Sequence, residues 1–172
     1  MTSAPMTPSS PSAVSAFGAP TTPSTLSTSG TPSTPSTIQP LRIAIAGLGA
    51  IGKSLARTLA AGGVPGVVLA SVSAKNLDRA REFVDTLPVR AAVLPIGELE
   101  PSADVVVECA PGALLPQIVG PFLRAKKQAI VLSVGALLSN PDLIEQARGQ
   151  GGTLLVPTGA LIGLDAVIAA AE

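Results

Sequence analysis

An α/β fold with a doubly wound parallel sheet is what this sequence predicts, on three observations. From Leu41 onward, short apolar runs rich in Val, Ile and Ala alternate with longer stretches of helical character. Six such runs can be counted, with helices between them, the pattern that builds a parallel sheet through helical crossovers. The first run, Leu-Arg-Ile-Ala-Ile-Ala, stops at Gly47 and enters Gly-Leu-Gly-Ala-Ile-Gly, which passes at once into the helix-forming Lys53–Ala61. Strand, glycine turn, helix is the context that makes a G-x-G-x-x-G match specific.

Each glycine has a physical task. Gly47 permits the sharp turn, Gly49 lets a pyrophosphate approach the backbone, and Gly52 lets the helix pack closely on the strand. Ala50 and Ile51 lie where the helix offers unpaired N–H groups and a positive dipole end to phosphate. Gly47, Gly49, Ala50, Ile51 and Gly52 are therefore candidate cofactor-binding residues in a Rossmann-type NAD(P) site, with strand order 3-2-1-4-5-6 expected.

Composition limits the chemistry. The 172 residues balance 11 basic against 11 acidic side chains and contain no His, Trp or Tyr. No strong field favours nucleic acid or an anionic membrane as partner. A His base or metal ligand cannot come from these residues. The single cysteine, Cys109, excludes an intramolecular disulfide and fits a reducing cytoplasm. Every apolar stretch meets Gly, Pro or a charge well before the ~18 residues of a membrane span, and the start lacks the basic and apolar regions of a secretory signal. Met1–Pro40 has no charge, and 27 of its 40 residues are Ser, Thr or Pro. Such a segment is expected to be a disordered leader, with a phosphorylated or glycosylated tether as the alternative.

The folded part is expected to begin at Leu41. Its first strand is Arg42–Ala46 and its first helix Ala50–Ala61, with Ile51, Leu55 and Thr58 or Leu59 on the buried face. Gly62 and Gly63 end that helix. Val67–Val72 is the second strand. An NAD site of this type usually places an acid about 20 residues after the glycines to hold the ribose 2′-OH. Here the stretch reads Ser-Val-Ser-Ala-Lys-Asn, and no acid comes before Asp78. Ser73 can bond a ribose hydroxyl or a 2′-phosphate and Lys75 can neutralise that phosphate, which points to NADP or to use of both NADP and NAD. Lys75 also reads as an ordinary solvated loop charge.

Asn76 caps a helix over Leu77–Asp85 whose charges, Asp78, Arg79, Arg81 and Glu82, mark its wet face. A third strand is expected at Val89–Leu94, a loop at Gly97–Pro101, and a fourth strand at Ala103–Val107. Glu108 reads as an acceptor of backbone N–H groups, and Cys109 as a small buried filler rather than a reactive thiol. Ala113–Lys127 is helical, with Pro116 in its first turn and Pro121 kinking or breaking it. Gln128–Leu132 is the fifth strand. Asn140 caps, and Pro141 opens, a helix that Gly149–Gly152 closes. Thr153–Val156 is the sixth strand, and a further helix starts at Ala166.

Four motifs occur in order: Gly-Leu-Gly-Ala-Ile-Gly (47–52), Val-Val-Glu-Cys-Ala (106–110), Leu-Ser-Val-Gly-Ala-Leu (132–137) and Pro-Thr-Gly-Ala-Leu-Ile-Gly-Leu-Asp-Ala (157–166). Together they resemble the L-aspartate dehydrogenases, across essentially all of Leu41–Glu172. The resemblance implies NAD(P)-dependent oxidative deamination of L-aspartate to iminoaspartate, then oxaloacetate and ammonia, in some organisms feeding NAD synthesis. It implies cofactor contacts at Ala110, at Ser133, Val134 and Gly135, and at Thr158, Gly159 and Ala160, with Thr158 standing where Ser is commoner. It also implies a second domain that brings a catalytic His, a cofactor-contacting Asn and most of the L-aspartate-binding surface, with a homodimer as an expectation for a full-length protein. That domain is expected to lie beyond Glu172, so these residues alone are expected to show little turnover. Two other readings stay open: a non-catalytic nucleotide-binding module, and an oxidoreductase of homoserine dehydrogenase type, against which the Pro157–Asp165 loop speaks.

Overall fold

The computed structural model describes residues 39–157. Thr158, Gly159 and Ala160, the helix expected from Ala166 and all but the last two residues of the expected leader lie outside the described residues. Six strands form one sheet: β1 (Leu41–Ala46), β2 (Val67–Ser73), β3 (Ala92–Val93), β4 (Val105–Glu108), β5 (Gln128–Val131) and β6 (Thr153–Leu155). Their order is β3-β2-β1-β4-β5-β6, all neighbours parallel, the doubly wound order expected. Five helices connect them: α1 (Ala50–Ala60), α2 (Leu77–Val84), α3 (Leu115–Arg124), α4 (Val134–Leu138) and α5 (Pro141–Gln150).

The alternation of side chains along a strand splits the core into two layers. On β1, Ile43 and Ile45 face Ala56 and Leu59 of α1 and Phe83 and Val84 of α2. Ala44 and Ala46 face the other way, toward Leu115, Ile118, Val119, Phe122 and Leu123 of α3 and Leu143 of α5. With both faces covered, a central strand must be apolar throughout; β4 satisfies this with Val105, Val106 and Val107 all buried. Alanines on the α3 side leave room for the bulk of Phe122, while the isoleucines fill the space above α1.

Several local expectations are corrected. Ile51 is not on the buried face of α1; it is 63% exposed. The buried set is Gly52, Ala56, Leu59 and Ala60, because the contact of Gly52 with the turn sets the rotation of the helix; Leu55 is half-buried against the core, and Ile51 turns outward. Pro121 does not break its helix: α3 runs on to Arg124. The residue before it is Gly120, which has no Cβ to clash with the proline ring. β3 is only two residues long. It is an edge strand bounded by Pro88 and Pro95, and proline cannot donate to a ladder. The loop expected at Gly97–Pro101 is wound into two 3-10 turns, Ile96–Glu98 and Glu100–Ser102. Asn140 precedes α5 without capping it by its side chain; its Nδ2 donates back to the Ala136 carbonyl at 2.8 Å. α4 was not foreseen.

Asn76 does cap α2, its Oδ1 accepting from the Arg79 N–H at 2.9 Å. Pro116 lies in the first turn of α3. Gly151 ends α5 in the left-handed region at φ 78°, where glycine carries no Cβ penalty.

Candidate functional site

Three strands end level with one another. Ala46, the last residue of β1, is in register with Ser73 on β2 and with Glu108 on β4. Gly47 N–H donates to the Ser73 carbonyl at 2.8 Å, and Cys109 N–H donates to the Ala46 carbonyl at 2.8 Å. After β1 the chain crosses to β2 on one side, and β4 lies on the other. A crevice therefore opens beyond the carboxyl ends of the strands, at the place where the winding reverses.

The glycine turn lies in that crevice. Gly47 has φ +108°, and a Cβ there would collide with the Cys109 carbonyl. A Cβ on Gly52 would collide with the Gly47 carbonyl and touch Ile45, so α1 is seated directly on the end of β1. A Cβ on Gly49 would meet nothing within 4 Å among the described residues. Two of the three glycines thus permit protein to approach protein, and the third leaves its face open. Gly49 also precedes α1, and its carbonyl accepts from Lys53 N–H at 3.0 Å. The N–H groups of Ala50, Ile51 and Gly52 have no acceptor within the helix.

The crevice is a cleft of about 520 Å³. Its floor is Gly47, Leu48 and Gly49; one wall is Ser73, Ala74, Lys75 and Asn76, and the other Cys109, Ala110 and Pro111. Lys53, Arg79, Ala80, Ile96 and Leu114 complete the lining. Ser73 is 1% exposed, and its Oγ has no hydrogen-bond partner among the described residues. Leaving a buried hydroxyl unpaired costs about 1–3 kcal/mol, so an unpaired one in a cleft points to a ligand. Ser71, two residues earlier on the same strand, shows the ordinary arrangement: its hydroxyl pairs with that of Ser102 at 2.7 Å.

Glu108 is the opposite case. It is fully buried, and its Oε1 accepts from Ala110 N–H at 3.0 Å. Its Oε2 accepts from Leu132 N–H at 3.2 Å, Ser133 N–H at 2.9 Å and Ser133 Oγ–H at 2.6 Å. The carboxylate ties the end of β4 to the end of β5. Burial, and secondarily this neighbouring carboxylate, push the Cys109 thiol up to about 11. It is protonated at neutral pH and is no nucleophile, but it is half-buried and lines the cleft rather than being a fully buried filler.

Of the sequence-predicted site residues, Gly47, Gly49, Ser73, Lys75 and Ala110 come together around the cleft. Ala50 and Ile51 are exposed at the start of α1, and Gly52 is buried beneath it. Ser133, Val134 and Gly135 do not line the cleft. Ser133 is held by Glu108, Val134 N–H donates to the Leu132 carbonyl, and a Cβ on Gly135 would meet nothing within 4 Å. This segment lies instead against the loop after β4, where a Cβ on Gly112 would crowd that of Ala136. Sequence reasoning missed Lys53 and Arg79 as cleft residues. The available signal for Arg79 was its position one turn beyond the Asn76 cap, on the same side of the helix as the loop.

An open glycine at a helix start, an unpaired buried hydroxyl at the end of β2 and a cleft at the winding reversal together fit a dinucleotide. They define the class: a nucleotide-binding Rossmann domain of the dehydrogenase type. The family profile described as "Homoserine dehydrogenase, NAD binding domain" matches residues 47–157, and the chain belongs to that family. Among its curated relatives, L-aspartate dehydrogenase 3 of Bordetella bronchiseptica is 54% identical over 134 residues, covering 78% of this chain and 49% of the relative. The L-aspartate dehydrogenase of Bradyrhizobium diazoefficiens is 49% identical over 130 residues, 76% of this chain and 46% of the relative. The chain thus spans about half the length of the curated relatives it matches. A crystal structure of a probable dehydrogenase from Thermotoga maritima superposes with TM-score 0.57 and 27% identity, over 67% of this chain and 35% of that one.

Proposed function

We propose that these residues form the cofactor-binding half of an NAD(P)-dependent L-aspartate dehydrogenase. The observation that carries the reading is the cleft itself, where Gly49 is open and Ser73 offers an unused hydroxyl. The substrate is inferred from similarity to the L-aspartate dehydrogenases. A bound nicotinamide dinucleotide would supply the hydride acceptor; the protein would supply binding, orientation and exclusion of water. Gly47, Gly49 and Gly52, with the first N–H groups of α1, would hold the pyrophosphate. Ala110 and Pro111 would form an apolar wall. In the overall reaction a hydride leaves the aspartate Cα, the amino nitrogen loses a proton, water adds to the resulting iminoaspartate, and ammonia departs to leave oxaloacetate. The iminoaspartate would also be available to NAD synthesis.

Neither Cys109 nor Glu108 is suited to the proton transfers, the first being a protonated thiol and the second saturated with donors. With no histidine in the 172 residues, a histidine base would have to come from elsewhere. That same absence is equally compatible with a second reading, a non-catalytic nucleotide-binding module. Titration of the chain with NADPH and with NADH, followed by nicotinamide fluorescence, tests the shared premise; if neither binds, both readings fail. Assay of aspartate-dependent NAD(P)+ reduction by the protein purified from its native source separates them. Turnover supports the dehydrogenase, and nucleotide binding without turnover supports the module. A cytoplasmic location and a homodimer of the native protein belong to the same proposal, with cell fractionation and light scattering as their tests.

A further inference from the structure

The cleft carries charge of one sign. Lys53 comes from α1, Lys75 from the loop after β2 and Arg79 from α2, and all three line the cleft. Among the described residues, no carboxylate does. The nearest acid in sequence, Asp78, is engaged by Arg81 at 2.6 Å and points into solvent with its side chain 87% exposed. Neither Lys75 nor Arg79 makes an ion pair among the described residues. Lys53 is steadied over the ring of Phe83, 5.4 Å from its centroid. The Asn76 cap on the Arg79 N–H fixes the loop against the helix. Three cations that share one cleft with no carboxylate among its described lining residues repel one another, and the same cleft is lined by Ser73, whose hydroxyl has no partner among the described residues.

In this fold the tip of β2 meets the adenosine ribose, where an acid selects the 2′-OH and a cation accommodates a 2′-phosphate. We infer that Ser73, Lys75, Arg79 and Lys53 form a 2′-phosphate subsite, so that the domain takes NADP(H) in preference to NAD(H). The inference rests on the dinucleotide reading above. Arg79 would carry most of the discrimination, because a guanidinium can bond phosphate oxygens in pairs, whereas an ammonium acts as a point charge.

The test is calorimetric titration of the full 172-residue chain with two matched pairs, NADPH against NADH and adenosine 2′,5′-bisphosphate against 5′-AMP. The second pair reads the subsite without the nicotinamide half. The expected result is about tenfold or greater preference for the 2′-phosphorylated member of each pair, shrinking as salt is raised. Arg79→Ala should lower the NADPH-to-NADH affinity ratio about tenfold, and Lys75→Ala should lower it less. Equal affinities within both pairs would overturn the subsite while leaving the dinucleotide reading intact. Should none of the four bind, the dinucleotide reading falls and takes the subsite with it. The wild-type comparison stands even if a variant fails to fold.

Discussion

Ser73 and Glu108 occupy equivalent places on either side of β1. Both end a strand, both are in register with Ala46, and both are buried polar residues in an apolar sheet. Glu108 accepts four hydrogen bonds from two chain segments, whereas the Ser73 hydroxyl has none among the described residues. A buried polar group that the protein satisfies holds the structure together; one left unsatisfied beside a cleft is kept for something that binds. The comparison separates a structural clamp from a candidate binding group more cleanly than residue type does, since a carboxylate would ordinarily be the first suspect for chemistry.

Substitutions can break or sharpen that contrast. Glu108→Ala has the largest expected effect, because it strands the donors of Ala110, Leu132 and Ser133 in the interior. A loss of about 3 kcal/mol is expected, read as a lower urea midpoint. A loss below about 1 kcal/mol would show that the clamp is dispensable. Gly52→Ala comes next. Its Cβ would strike the Gly47 carbonyl, and pushing α1 off the strand should cost about 2 kcal/mol and weaken nucleotide binding with it. Retention of both by the variant would refute the close seating of α1.

Ser73→Ala should behave oppositely to Glu108→Ala. Removing a buried hydroxyl that has no partner among the described residues should raise the stability of the unliganded protein by about 1 kcal/mol or more, yet reduce nucleotide affinity severalfold. Equal affinity for wild type and variant would mean that the hydroxyl serves no ligand. The smallest effect concerns a surface pair far from the contrast. Arg42 donates to Asp104 through its backbone N–H and its guanidinium, the latter at 2.7 Å, and those hydrogen bonds hold the Asp104 carboxyl below its ordinary range. A depressed acid adds stability above its unfolded pKa, and that stability is lost as pH falls through the folded one. Acid denaturation curves of wild type and Asp104→Asn should therefore converge below about pH 4, where an unfolded aspartate is protonated. A constant gap down to the lowest pH would contradict the sign.

Much of the fold was legible because its causes are local. The alternation of Ile43-Ala44-Ile45-Ala46 sets two faces, Asn76 and Gly151 mark helix ends, and Gly47 and Gly52 meet a steric requirement of one turn. These residues act within a few positions of themselves, so their pattern carries the sheet order and the floor of the cleft. The rest depends on partners distant in the chain. That Glu108 meets Ser133, 25 residues later, that Ile51 turns outward once Gly52 is seated, and that Lys53, Lys75 and Arg79 line one cleft were decided by how the helices dock on the sheet. By itself the sequence determined which segments could be strands and helices and where the chain could turn sharply. Only the tertiary structure decided which buried polar group would find a partner, because partnership requires two segments to arrive at hydrogen-bonding distance.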